Sequence, residues 1–182
     1  FPCNEIFMTA GEIEYVDIVD EKGAVLNFVP KPEAHQKGLL HKTVISEVVD
    51  SKGRWLLVVQ AGDRQDAGQY VSPVGGHVQA GETEIEGLKR EANEELGLEG
   101  NFKYEYVGRA IFNRFVLGRQ ENHFFILYKI YSDAEPKLNE ESESCAYFTE
   151  NELKKEMKDN PKLFGDAFIF VVKTFFPHLL TN

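Results

Sequence analysis

The sequence predicts an α/β fold, in which strands joined by tight turns are packed against amphipathic helices. Three observations carry that expectation. Two apolar, β-branched runs, residues 42–49 and 54–60, flank the turn Asp50-Ser51-Lys52-Gly53, a strong hairpin signal. Residues 82–96 place Ile85, Leu88, Ala92 and Leu96 on one stripe at helical spacing. Near the end of the chain, Leu163, Phe164, Ala167, Phe168, Val171, Val172 and Phe175 form a second, wider apolar stripe. At 182 residues, 42% hydrophobic and 12% aromatic, the chain has the length and apolar content for one domain, 1–182, with a sizeable core.

Taken in order, residues 13–19 alternate as a strand does. Asp20-Glu21-Lys22-Gly23 then turns the chain into a second strand over 24–29. The result is an N-terminal hairpin spanning about 14–29, which offers a surface for a second subunit in a homodimer. Pro30 and Pro32 break regularity and leave His35 and His41 in a loop. Residues 61–70 are polar and read as a loop. Residues 71–78 contain Pro73 and the pair Gly75-Gly76, a composition unlike an ordinary strand interior. The helix over 82–96 has Glu82 and Glu84 in its first turn, where the macrodipole favours them, and Gly97 as its stop. Strands follow at 102–112 and 124–131, with a turn at 118–122. A short strand at 146–148 leads to Thr149, the N-cap of a helix over 150–158, and Pro161 opens the final helix. That helix carries core residues rather than a cofactor-binding box.

Lys and Arg number 20 against 30 Asp and Glu, a net charge of −10 that repels phosphate backbones and excludes a general nucleic-acid binder. An anionic small substrate stays compatible with this surface if bound cations invert the field locally. The two cysteines, Cys3 and Cys145, are far apart and outside any CxxC pair, as in a reduced, cytoplasmic protein. No apolar run reaches the length of a membrane span, and the start lacks a signal-peptide pattern. The chain begins with Phe1, and Met8 is a candidate natural start.

The chemistry is concentrated in the helix over 82–96. Advancing about 100° per residue, a helix places Glu91, Glu94 and Glu95 within one arc of roughly 100°, beside the apolar stripe. Like charges at these spacings destabilise a helix by a few tenths of a kcal/mol per pair. A divalent cation with a taste for hard oxygen ligands, magnesium or manganese, removes that repulsion. Three clustered glutamates alone are still more often a plain solvated face. The full pattern decides otherwise: Gly76, five residues, Glu82, seven residues, Arg90-Glu91-Ala92, one residue, Glu94-Glu95, one residue, Gly97-Leu98. At residue frequencies of roughly one in fifteen, its seven fixed positions agree by chance about once in 10⁸ windows.

This stretch, 76–98, resembles the signature box of the Nudix hydrolase superfamily. The resemblance implies an α/β/α sandwich around a mixed β-sheet. It also implies a metal-dependent hydrolase that cleaves a diphosphate linkage in a nucleoside diphosphate derivative or related small molecule. Carried onto this chain, Glu91, Glu94 and Glu95 become side-chain metal ligands and Gly76 a backbone ligand. Arg90 would orient the acidic cluster, and Glu82 would hold the loop to the helix. Gly75, Gly76 and Gly81 permit the tight backbone path. Glu94 and the downstream Glu121 are both candidates for the base that takes a proton from the attacking water.

Four of the five histidines lie in segments that resemble one Nudix branch, the isopentenyl-diphosphate isomerases. Those segments include Asp17-Ile18-Val19-Asp20-Glu21, Ala34-His35 through His41, and Gly76-His77-Val78, and the resemblance runs loosely from about Glu14 to Tyr131, which takes in His123. The resemblance implies a second divalent metal site at His35, His41, His77, Glu121 and His123. It also carries two departures, because His123 stands where the isomerases have a catalytic glutamate and Gly75 where they have a catalytic cysteine. The box glutamates are all retained here, which favours hydrolysis over isomerisation. A non-catalytic Nudix ligand-binding domain is the remaining alternative. Arg64, Arg109, Arg114 and Arg119 are candidate phosphate contacts, each equally well explained as surface charge.

Overall fold

The computed structural model describes residues 13–181, so Cys3 and Met8 lie outside the described residues. The elements follow the order β1 (Tyr15–Val19), β2 (Val25–Pro30), α1 (Lys31–Lys37), β3 (His41–Val49), β4 (Trp55–Gln60), β5 (Tyr70–Val71) and β6 (Val74–His77). After these come α2 (Glu84–Leu96), β7 (Lys103–Val116), β8 (Arg119–Tyr131), β9 (Ser142–Phe148), α3 (Glu150–Asp159) and α4 (Asp166–Phe175).

Strand β3 is the hub of a mixed sheet. It runs parallel to β8 over its whole length, with His41 opposite His123 and Val49 opposite Tyr131. Along its other edge it meets β1, β6 and β4 in turn, all antiparallel. Successive side chains of β3 go to opposite faces, as the pleat requires. Val44 and Val48 join Leu88, Ala92 and Leu96 of α2 in one core. Ile45 and Val49 join Leu153 and Met157 of α3 and Phe168, Val171 and Val172 of α4 in the other. The sheet therefore lies between helices on both faces, the α/β/α sandwich that the sequence predicts.

Several expectations are corrected. The segment with His35 and His41 is not a loop throughout. Residues 31–37 form α1, which tolerates Pro32 because the first helical turn needs no backbone donor there. Gly38 ends this helix at φ 64°, and its carbonyl accepts a bond of 2.7 Å from the Asn122 side chain. Residues 74–77 are an ordinary paired strand despite two glycines, with Gly75 opposite Ile45 and Gly76 opposite Val44. The helix starts at Glu84 rather than Glu82, because Thr83 and Glu86 form a reciprocal capping box. The 118–122 turn shrinks to Leu117-Gly118, both at positive φ (51° and 73°), as a type I′ hairpin demands. Glu121 consequently sits on β8 instead of in a turn, and His123 is on the same strand. Elsewhere Thr149 caps α3 as expected, with a second capping box to Glu152. The final helix begins only at Asp166, after a 3-10 turn at Pro161–Leu163.

The N-terminal hairpin is tied to the box through a bond of 2.8 Å from the Ala80 amide to the Tyr15 carbonyl. Val25, Leu26 and Phe28 on β2 remain exposed. Among the described residues, no helix is long and apolar enough to cross a membrane.

Candidate functional site

The acidic cluster is assembled where α2 crosses β6. Burial of Leu88, Ala92 and Leu96 fixes the rotation of α2 and draws Glu91 down with them, to 9% exposure. Gly76 makes room for it, because a Cβ at that position would fall inside the Glu91 carboxylate. The amide of Gly75 donates to Glu95 Oε2 at 2.8 Å. Glu94, the most exposed of the three, is paired with Arg90 Nη1 at 3.5 Å.

Arg90 ties the pieces together. It donates to both oxygens of Glu82 (2.8 and 3.0 Å), to Glu91 Oε1 (2.6 Å) and to the His77 carbonyl (2.9 Å). Glu82 in turn accepts from the Gln79 amide at 3.2 Å, so the loop of the box is fastened to the helix. Gly97, at φ 67°, ends the helix, and Gly81 is likewise left-handed at φ 80°.

Electrostatically the cluster is short of positive charge. Burial pushes the Glu91 carboxyl up to about 7 against the pull of Arg90, and nearby Glu94 adds to the rise. Burial and the Glu91 charge push Glu95 well above the usual carboxylate range. Arg90 is held more firmly protonated, chiefly by its bonds to Glu82. Crowded, partly dehydrated carboxylates of this kind suit a hard divalent cation, which restores the charge balance that one shared guanidinium does not.

A further carboxylate, Glu141, joins the same cleft. It lies before β9, pairs with Arg64 at 3.2 Å, and its charge acts on both Glu91 and Glu95. Sequence reasoning missed it, since it belongs to no motif.

The histidines arrive from four elements: His35 from α1, His41 from the start of β3, His77 from the end of β6 and His123 from β8. His41 and His77 stack at 4.9 Å between ring centroids, and His41 meets His123 edge-on at 4.9 Å. His35 lies 5.2 Å from both His41 and His77. Burial holds all four towards the neutral form, with His35 lowered to about 4, and neighbouring histidines add to the effect on His35, His77 and His123. His178 is elsewhere, exposed beside Glu150.

Glu121 stands apart from this group in its bonding. It is 2% exposed, one oxygen accepts from Arg119 (2.7 and 3.0 Å), and the other accepts from Arg114 at 3.2 Å. Arg114 also forks onto Asp66. Both lone-pair sets of Glu121 are thus committed to guanidinium groups, an unfavourable start for a proton acceptor. Of the four arginines raised from sequence, Arg64, Arg114 and Arg119 line the cleft, while Arg109 is engaged with Glu84. The cleft, about 480 Å³, is lined by Glu91, Glu94 and Glu95, by His35, His77 and His123, and by the apolar Ile45, Phe125 and Phe168.

Comparison with known proteins agrees with this geometry. The NUDIX domain family model matches residues 39–167. An isopentenyl-diphosphate Delta-isomerase of Aliivibrio fischeri is 30% identical over 91% of this chain and 97% of its own length. An uncharacterised Nudix hydrolase of Nostoc sp. is 31% identical over 71% of this chain and 76% of its own. Among solved structures, a Deinococcus radiodurans protein superposes with a TM-score of 0.69 at 23% identity, covering 88% of this chain and 98% of that one. An Ap4A hydrolase of C. elegans shares the fold at a TM-score of 0.55 and 17% identity, covering 76% and 96%.

Proposed function

The chain belongs to the NUDIX domain family, and from that premise we propose that it is a divalent-metal-dependent hydrolase of a diphosphate linkage in a nucleoside diphosphate derivative or related small molecule. The observation that carries this reading is the convergence of Glu91, Glu94 and Glu95 on one cleft, with Glu91 seated over Gly76 and Glu95 held by the Gly75 amide. Bound there, magnesium or manganese supplies Lewis acidity towards the phosphoryl oxygens and lowers the pKa of a water. Glu91, Glu94 and Glu95, with the Gly76 carbonyl, are the residues that would hold it. Arg90 keeps Glu91 from swinging into solvent. Glu94 is the base we assign, because its oxygens are the least committed of the candidates, whereas those of Glu121 are taken by Arg114 and Arg119.

Isomerisation of isopentenyl diphosphate is the second reading, favoured by a relative of that name aligned along 97% of its length. That chemistry needs an acid and a base to protonate one carbon and deprotonate another. Gly75 brings no side chain, and its amide is already donated to Glu95. Hydrolysis needs neither group and instead needs the metal-holding carboxylates that the cleft does contain. The test is phosphate release from a panel of diphosphate compounds, with magnesium and manganese run in parallel and a chelator control. Turnover of at least one compound, lost in the chelator, is expected. Folded protein inert across the panel with both metals would favour the ligand-binding alternative.

A further inference from the structure

The hairpin of β7 and β8 builds a chain of charges that ends in the cleft. Its turn at Leu117-Gly118 sets the register so that Arg114 stands directly opposite Glu121. Arg119, two residues before Glu121 on the same strand, projects from the same face. Asp66 joins them from the loop between β4 and β5. Arg114 forks onto Asp66 at 3.0 and 3.2 Å and donates from Nε to Glu121 Oε2 at 3.2 Å. Arg119 closes the chain, with Nε and Nη2 both donating to Glu121 Oε1 at 3.0 and 2.7 Å.

Two carboxylates against two guanidinium groups leave this chain neutral within itself. Asp66 and Glu121 are buried and Arg114 is nearly so, whereas the Arg119 side chain is 39% exposed and lines the cleft. A buried ion pair is a weak source of net stability, because desolvation offsets its attraction. What this chain supplies is position. Glu121 occupies one edge of the Arg119 guanidinium, while Nη1 makes no hydrogen bond among the described residues. The edge formed by Nη1 and Nη2 therefore presents donors in a held plane, a fork that fits the oxygens of a phosphate. Arg119 is close enough to His35 and His123 for its charge to act on both. Glu91 and Glu95 answer instead to Arg90, Glu141 and neighbouring carboxylates, so the fork is set apart from the acidic cluster.

We propose that Arg119 is a specificity-determining residue that receives a phosphate monoester carried by the substrate apart from its metal-held diphosphate, and that Asp66, Arg114 and Glu121 are positioning residues that aim its guanidinium. Glu121 then serves a guanidinium where the isomerase resemblance would have it serve a metal. The assignment rests on the reading of the cleft as a diphosphate site, and it narrows the substrate to diphosphates with a further phosphate group.

Two pairs of compounds differ by such a group alone: NADP against NAD, and coenzyme A against dephospho-coenzyme A. Binding to the full chain is measured by calorimetry in calcium, and turnover is followed separately in magnesium. The phosphate-bearing member of at least one pair should bind about tenfold more tightly or better, the weight of a charge-assisted hydrogen bond. Arg119→Met should abolish that difference, and Arg119→Lys, which keeps the charge without the fork, should recover part of it. Glu121→Gln should shrink the difference and act in turnover on KM for the phosphate-bearing member rather than on kcat, a split that general loss of structure would not produce. Arg109→Ala removes an equal charge that is bonded to Glu84 instead, and should leave the difference intact. If Arg119→Met does not fold, Arg119→Lys and Glu121→Gln decide. No binding of any of the four compounds, equal affinity within both pairs, or a preference that survives the Arg119 variants would overturn the proposal, whether or not a compound is hydrolysed. A preference that depends on Arg119 without any turnover would overturn the hydrolase reading alone.

Discussion

Metal-free protein carrying Glu91→Gln is expected to be more stable than the wild type at pH 8 and no more stable at pH 4. The Glu91 carboxyl is pushed up to about 7 in the fold, chiefly by burial, from an ordinary 4.5. The native state then holds this proton more tightly than the unfolded chain does, so stability is lost as pH rises from about 4.5 to about 7 and levels off above. That gap corresponds to about 3 kcal/mol at full development. Gln keeps the shape and cannot ionise, so the difference between the two proteins opens over the same window. Arg90 loses one partner but keeps both Glu82 oxygens and the His77 carbonyl, which trims the gain to about 1–3 kcal/mol. Urea unfolding in chelator at pH 4, 6 and 8 measures it directly. Hydrolysis by the same variant should fall at least a hundredfold in saturating magnesium, so stability and activity move in opposite directions. A variant less stable than the wild type at pH 8, or a difference that ignores pH, would refute the account of Glu91 as a strained, cation-seeking carboxylate.

Other outcomes are narrower. Glu95→Gln retains an acceptor for the Gly75 amide yet removes ligand charge, so turnover should drop by at least about a hundredfold, or about 2.7 kcal/mol, with the far-UV spectrum unchanged. Incubation with isopentenyl diphosphate, followed by NMR, should yield no dimethylallyl diphosphate above background; clear conversion that disappears in His123→Ala would promote the isomerase reading. Gly118→Ala, at φ 73° in the β7–β8 turn, should cost about 1 kcal/mol of stability; no loss in a urea titration would contradict the type I′ assignment.

The parts of the fold that were legible are those whose signals are local. Helix α2 announces itself by its stripe, its first-turn acids and Gly97. Thr149 marks the start of α3 by cap chemistry alone. What escaped were elements defined by distant partners. Strand β6 has a poor strand composition, and its ladder exists because β3 lies alongside, with Thr43 to Ser46 opposite His77 to Val74. Helix α1 was hidden by two prolines that read as breakers, although Pro32 fits its first turn. The β7–β8 turn was misplaced because Leu117-Gly118 lacks the Asn-Gly or Asp-Gly pair that usually marks a type I′ hairpin.

The site divides in the same way, and β6 explains why. Spacing along one helix was enough to group Glu91, Glu94 and Glu95. No spacing could bring in Glu141, which reaches the cleft on a loop before β9 that is placed by tertiary contacts such as the bond from the Ala61 amide to the Glu141 carbonyl. The two halves of the cleft meet on adjacent residues of one four-residue strand. Gly76 lacks a side chain so that Glu91 can lie over its backbone, and His77, pointing the other way, completes the imidazole cluster. Arg90 then grips the His77 carbonyl from the carboxylate side, so the same peptide is bonded to one cluster and carries a member of the other. Of the glycine pair that counted against a strand, Gly76 is therefore a consequence of the site. Both residues are in extended, paired backbone to hold register with β3, and Gly76 is glycine because the acidic helix needs its space.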